Sequence, residues 1–345
     1  MAGVSPGSLN EPNVKRARLV DVARAAGVST ATASFVLSGR RAGRSKPASP
    51  ETVERIEAAA SELGYVPNRF AQAMRRGYTS TVVLGLGSPE DPWAAQVAIE
   101  VQRRALPQGF STLTLVDETW YEFLQGYTPG VAFLTSVDFQ QGGLARTLDL
   151  VEHGANLVVF STEAEPDGFD VISSSAVGPT AAAYRRLRAR HDEVHFLSIF
   201  GSEDRRPGPT RLVGFRGAAA EFGDEPLIHR AGFQRDAIAR ACRELLESRP
   251  TAVICTNGLF AGILRGMALS MGLRVPDDLE IISIGDIPHN EGDYLGPISV
   301  YGTPDVFTRI GDIVVHRAVT QRESPFEKHV FQWEFLPGST TVDGG

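Results

Sequence analysis

Cysteine is nearly absent from this chain: its 345 residues hold two, Cys242 and Cys255, each inside an apolar-patterned segment. That excludes a disulfide framework and any cysteine-rich metal cluster, and both thiols read as small core residues in a reducing compartment. Long apolar runs are missing too. No stretch approaches the roughly 20 residues needed to span a bilayer, and the first residues lack a signal-peptide core, so we expect a cytoplasmic protein with no membrane partner. Catalytic patterns are equally scarce. No serine stands in a nucleophile elbow. Gly85-Leu86-Gly87 follows an apolar run, but a third glycine is lacking and Pro89 interrupts the approach to a helix, so this is not a dinucleotide loop. His191 and His195 have the spacing of a helical metal pair, yet they fall at a turn running into a strand, where the rings point apart. The chain therefore reads as no enzyme, with no metal and no cofactor.

Positive charge is in deficit, at a net −7, which over the whole chain argues against nucleic acid. Its distribution points the other way. The first 80 residues carry twelve Lys/Arg against six acids, or +6, which leaves −13 for the rest. A basic head on an acidic body confines the phosphate-attracting footprint to one end while the rest repels a polyanion. Residues 1–16 begin Gly/Ser/Pro-rich and polar and are expected to form a disordered tail. The length and the 42% apolar content imply two or three packed units.

Within the basic head, Leu19, Val22, Ala23 and Ala26 recur at helical spacing, and Gly27 ends that helix where a left-handed turn is needed. Ser29 caps a second helix that buries Ala33, Val36 and Leu37. Two short helices about a tight turn are the geometry that places the second in the DNA major groove. Its groove-facing residues are Thr30, Ala31, Thr32, Ser34 and Phe35, small enough on the whole to bring the backbone close to base edges. Thr30, Ala31 and Phe35 lack the fork that contacts guanine bidentately, which leaves thymine methyls as the direct option; Phe35 either joins that contact or packs inward. Ser49-Pro50-Glu51 opens a third helix, followed by Val53, Ile56, Ala60 and Leu63 at helical spacing and closed by Gly64. The loop before it carries Arg40, Arg41, Arg44 and Lys46. Arg41 and Arg44 either hold flanking phosphates or are simply solvated.

Past residue 80 the pattern becomes apolar runs alternating with helical periodicity. Strand-like runs fall at 82–86, 111–116, 130–134, 156–160, 194–200, 251–255 and 279–284, with helices at 94–106, 234–247 and 260–271 among others. Such alternation implies parallel sheets covered on both faces.

The head resembles that of the lactose-repressor (LacI/GalR) family of bacterial transcription regulators. The matching words are Asp21-Val22-Ala23, Ala26-Gly27-Val28-Ser29, Thr32-Ala33-Ser34 and Val36-Leu37-Ser38-Gly39, then Thr52-Val53-Glu54-Arg55-Ile56 and Leu63-Gly64-Tyr65-Val66-Pro67-Asn68. In the body, Asp91-Pro92-Trp93, Arg211-Leu212-Val213-Gly214-Phe215-Arg216, Pro250-Thr251-Ala252-Val253-Ile254, Asn257 and Gly272-Leu273-Arg274-Val275-Pro276-Asp277-Asp278 fit the same family. The resemblance implies a helix-turn-helix headpiece at 17–66, a hinge helix and linker at 67–79, and a periplasmic-binding-protein-like body at 80–345. That body would have two lobes joined by three crossovers, lobe 1 at about 80–175 and 298–328, lobe 2 at about 176–290 and 329–345. It further implies that Asn68, Ala71, Met74 and Arg75 meet DNA through the hinge. Met74 would stand where relatives wedge a leucine into the minor groove, a role its volume and apolarity suit.

By position, Trp93, Arg211, Asn257 and Asp286 would contact a small-molecule effector, a sugar or another molecule, between the lobes; alternatively Arg211 caps lobe elements and Trp93 belongs to the core. The pattern departs from the family at Gly258, at Gly285 and at Ser173-Ser174-Ser175, where carboxylates or amides are usual. Losing carboxylates weakens a sugar reading, since they accept paired hydroxyl hydrogen bonds. The expectation is a homodimeric regulator, in the repressor mould, on a pseudo-palindromic double-stranded operator; leucine heptads that would favour a tetramer are absent from the C-terminus. The alternative is a solute-binding receptor or binding-fold enzyme with a vestigial head.

Overall fold

The computed structural model describes residues 17–37, 48–65, 77–87, 91–116, 119–199, 210–285 and 295–342. The chain divides into two compact units at Arg76/Gly77.

The first unit contains three helices, α1 (Leu19–Ala25), α2 (Thr30–Leu37) and α3 (Pro50–Glu62). Each start has a visible cause. The Asp21 carboxylate accepts from the Arg18 backbone N–H at 2.9 Å. Ser29 Oγ accepts from the Thr32 N–H at 3.0 Å, and Ser49 Oγ from the Thr52 N–H at 3.3 Å, with Pro50 at the first helical position. Gly27 and Gly64 stop α1 and α3 at φ +62° and +58°. The shared core is Val22, Ala23, Ala26, Ala33, Ile56, Ala59 and Ala60. Five of these seven are alanines, so the helices pack closely but remove little apolar area from water. Leu63, expected in this core, is exposed: α3 ends at Glu62, and Leu63 sits at its cap while Ala59 takes the inward position.

The second unit is built on two six-stranded sheets. The first runs β11-β5-β4-β3-β1-β2, from Lys328–Val330, Asp170–Ser173, Leu157–Phe160, Val131–Leu134, Thr81–Leu86 and Ser111–Val116. The second runs β12-β10-β9-β8-β6-β7, from Glu334–Leu336, Ser299–Gly302, Glu280–Ile284, Ala252–Cys255, His195–Ile199 and Leu227–Ala231. All pairings are parallel except β10 with β12. Alternation along each strand feeds two cores. Val82, Leu84 and Leu86 face α4 (Pro92–Ala105) and α11 (Val306–Thr320). Val83 faces α5 (Trp120–Gly126) and α6 (Gly143–Glu152). The second sheet is covered in the same way by α7 (Val177–Arg188) and α8 (Arg211–Phe222) on one side, and by α9 (Arg235–Glu247) and α10 (Gly258–Ser270) on the other. Among the described residues, no helix is long and apolar enough to cross a membrane.

Three crossovers join the sheets, after β5, after β10 and after β11. This corrects two of the expected lobe limits. Ser299–Gly302, expected in the first lobe, pairs with β9 in the second sheet. Lys328–Val330, two of whose residues were expected in the second, pairs with β5 in the first. A buried ion pair fixes the latter choice. Arg317 on α11 meets Asp170 at 2.7 and 2.8 Å, both side chains 2% exposed. The remaining Arg317 donors go to the carbonyls of Gln321, Ser324 and Pro325. Asp170 also accepts the Glu327 N–H. The segment after α11 is thereby tied to the first strand residue of β5, and it delivers β11 to that edge.

One polar cluster sits apart from the crossovers. His195 on β6 and His229 on β7 place Nδ1 and Nε2 3.0 Å apart, enough room for one proton. Burial pushes both below the ordinary histidine range, and for His195 the neighbouring imidazole adds to the effect. Glu193 and Glu244 pull the other way and do not prevail. The folded body thus binds fewer protons here than the unfolded chain, so this pair costs stability as pH falls below about 6.5, until the lowered native values are passed. Urea unfolding of wild type and a His195→Gln/His229→Gln variant at pH 7.5 and 5.5 checks this. The wild type is expected to lose more stability at pH 5.5 than the variant does; equal losses would remove the pair from the pH response.

Candidate DNA-reading helix and ligand cleft

Helix α2 exists because Ser29 caps it and Ala33 locks its inner face, fully buried against α1 and α3. Its first two residues, Thr30 and Ala31, are exposed, and Thr32, Ser34 and Phe35 are half-buried. The Thr32 hydroxyl lies 2.8 Å from Ser29 Oγ, so it belongs to the cap. Leu19, Val28, Val36, Leu37 and Tyr65 pack around the headpiece core. The half-buried Phe35 is not part of that core. Of the other candidate DNA contacts, Arg41, Arg44, Asn68, Ala71, Met74 and Arg75 lie outside the described residues.

In the body, the carboxyl ends of the parallel strands, the edge at which the crossovers leave, carry the candidate ligand residues. On the first sheet, Asp91 caps α4 by accepting the Trp93 N–H at 3.0 Å. The Trp93 ring stands edge-on to Phe160 at the end of β4, with centroids 5.5 Å apart. Trp93 also packs on the core, so it serves structure and edge together.

On the second sheet, Thr210 caps α8, and Arg211, its first residue, donates from Nε to the Ile284 carbonyl at the end of β9 over 3.2 Å. Its terminal amines make no ion pair among the described residues. Gly285 follows with φ +97°. A Cβ there would lie 3.3 Å from Arg211 Nη2 and 3.8 Å from the Trp333 ring. The glycine is therefore more than a missing carboxylate: its bare Cα admits a guanidinium and an indole to one place. Trp333, on the third crossover, donates from Nε1 to Ser174 Oγ of the first at 2.6 Å.

Asn257 sits past the end of β8, the neighbour of β9, and its Oδ1 is occupied in capping α10, accepting the Phe260 N–H at 3.1 Å. It still has its amide donors to offer. The structure thus groups Arg211, Gly285, Trp333 and Ser174, puts Asn257 just past the end of the adjoining strand, and sets Trp93 at the matching edge of the other sheet. Asp286 lies outside the described residues. Trp333 was not among the residues expected at the cleft, and in the apolar-rich stretch Val330-Phe331-Gln332-Trp333-Glu334-Phe335-Leu336 it reads as one more core residue. Ser174 stands out in the sequence only as part of a serine run.

The enzyme-like patterns dissolve. Gly85 faces Leu134 and Trp120, its absent Cβ filled by their side chains rather than open to a phosphate. His191 turns to Thr251, and His195 to His229. Among the described residues no group of three metal-ligating side chains occurs.

Comparison with known proteins gives consistent matches along the chain. Residues 18–68 match the family described as bacterial regulatory proteins, lacI family, and residues 185–319 match the periplasmic binding protein-like domain. The HTH-type transcriptional repressor PurR of Shigella sonnei is 26% identical over 324 residues, covering 90% of this chain and 92% of the relative. PurR of Erwinia tasmaniensis is 27% identical over 284 residues, 79% of this chain and 81% of the relative. Among solved structures, the lac repressor dimer bound to operator and the anti-inducer ONPF superposes with a TM-score of 0.69 at 19% identity, covering 95% of this chain and all of that one. The regulator CelR in complex with cellobiose superposes at 0.56 with 22% identity, over 94% of this chain and all of that one.

Proposed function

Because this chain belongs to the lactose-repressor (LacI/GalR) family of bacterial transcription regulators, we propose that it binds a pseudo-palindromic operator as a homodimer and represses transcription, under control of a small molecule held between its lobes. It acts on DNA in the cytoplasm and performs no catalytic step. The observation that carries the reading is the headpiece: a capped helix with an exposed, uncharged N-terminal turn, held by a three-helix core, on the basic end of an acidic chain. Dimerisation is supported by exposed Ile99, Leu106 and Val319 on the paired helices α4 and α11 and the short 3-10 turn Leu106–Gln108 that follows α4, apolar area that a partner copy would cover. A ligand acts by favouring one lobe arrangement over another, which is all that binding can do to an equilibrium.

The lost carboxylates favour an effector other than the common sugars, with Asp286 the remaining candidate acceptor. Arg211 and Asn257 offer donors at the cleft, and Gly258, Gly285 and Ser174 supply no carboxylate to accept sugar hydroxyl hydrogens. Calorimetry against glucose, galactose, ribose and cellobiose is expected to show no tight binding, and a submicromolar sugar would overturn this assignment. The regulator reading itself is tested by selecting genomic fragments on the purified full chain at moderate salt. A pseudo-palindromic motif is the expected product, whereas salt-sensitive binding without any motif would contradict it.

A further inference from the structure

Granting the regulator reading, we infer that α2 discriminates its half-site by apolar contact with thymine methyl groups, not by hydrogen bonds to purine edges. The helix Thr30–Leu37 reads Thr-Ala-Thr-Ala-Ser-Phe-Val-Leu. It holds no Arg, Lys, Asn, Gln, Asp, Glu or His. Bidentate recognition needs two polar atoms on one planar group, which none of these eight side chains has. Three hydroxyls remain. That of Thr32 already pairs with Ser29 Oγ at 2.8 Å, beside the cap bond from the Thr32 N–H, and no hydroxyl of the three can make a bidentate contact. Thr32 also offers a methyl to an apolar partner.

The N-terminal turn is the part of such a helix that reaches base edges, and there Thr30 and Ala31 stand exposed. Phe35 lies four residues beyond Ala31, on the same helical face and outside the headpiece core. Methyl-bearing and aromatic side chains are the types that pack on the thymine 5-methyl, a group that cytosine lacks and that only the major groove displays. Without a long side chain in between, this surface can approach closely enough for contact. Each buried methyl contributes about a fourfold change in affinity, so one contacted thymine in each of two symmetric half-sites gives about fifteenfold.

The experiment uses the full chain and random duplexes, from which the preferred motif is selected. The motif is then resynthesised with deoxyuridine for each thymine in turn, symmetrically in both halves, and separately with 7-deazapurines that lack the N7 acceptor. At least one thymine position is expected to lose about fifteenfold on removal of its methyl, while 7-deazapurines change affinity less than twofold. Ala31→Gln, which keeps a good helix former but adds a bidentate amide, is expected to lose the uracil sensitivity and gain sensitivity to 7-deazaadenine. Indifference to uracil, or a large loss with 7-deazapurines in the wild type, overturns the methyl reading and leaves the regulator standing. Selection that yields no motif overturns both.

Discussion

The chain passes between the two sheets of the body three times, always at the carboxyl edges of their strands, and this constraint organises the rest of the molecule. The passages hold one another. Trp333 on the third donates to Ser174 on the first, and Thr303 on the second donates to the Gln332 carbonyl on the third. These links tie the three passages into one connected joint at that edge. They also explain why the candidate ligand residues collect where they do. Helix starts at Asp91, Thr210 and Asn257 follow strands that end at this edge, so donors and aromatic rings face a common region whatever the loops beyond them contain. The Arg317–Asp170 pair lies just upstream of the third passage. Breaking either partner would strand a buried charge, at a cost on the order of 3–5 kcal/mol.

The headpiece follows a different physical logic. Its core of five alanines, one valine and one isoleucine favours close helix packing over buried area, and α2 carries no charge at all. With no charge on α2, the basic character of the first 80 residues lies elsewhere in that segment, and the inferred readout by α2 is one of apolar contact. One copy is then weak and only moderately selective. Two copies on a dimeric body multiply both properties without any new contact, because the second head binds at the effective concentration set by its tether. A ligand that alters the lobes gains control over DNA affinity through that multiplication.

Much of this was legible in the residues. The capped helices α1 to α3, the strand Ser111–Val116 and most strands of the two sheet centres follow from spacing, caps and apolar runs. What the chain hides is long-range. Lys328–Val330 and Glu334–Leu336 are three-residue strands that carry no period, and only their partners decide which sheet each joins. Ser299–Gly302 is apolar enough for either sheet, and its place beside β9 depends on residues far from it in sequence. The hydrogen bond between Trp333 and Ser174 spans 159 residues. The functional side of Gly285 was visible as a missing acid, while its positive φ and the approach of Arg211 required the fold.

A dimeric, lobe-controlled regulator of this kind requires its two heads to bind DNA together. The direct measurement is the affinity of the full chain for its selected site beside that for the same duplex with one half-site scrambled, at one moderate salt concentration. Two coupled heads predict a loss of about a hundredfold or more. Equal affinity for the two duplexes would mean that a single headpiece suffices, and control through the dimeric body would be contradicted.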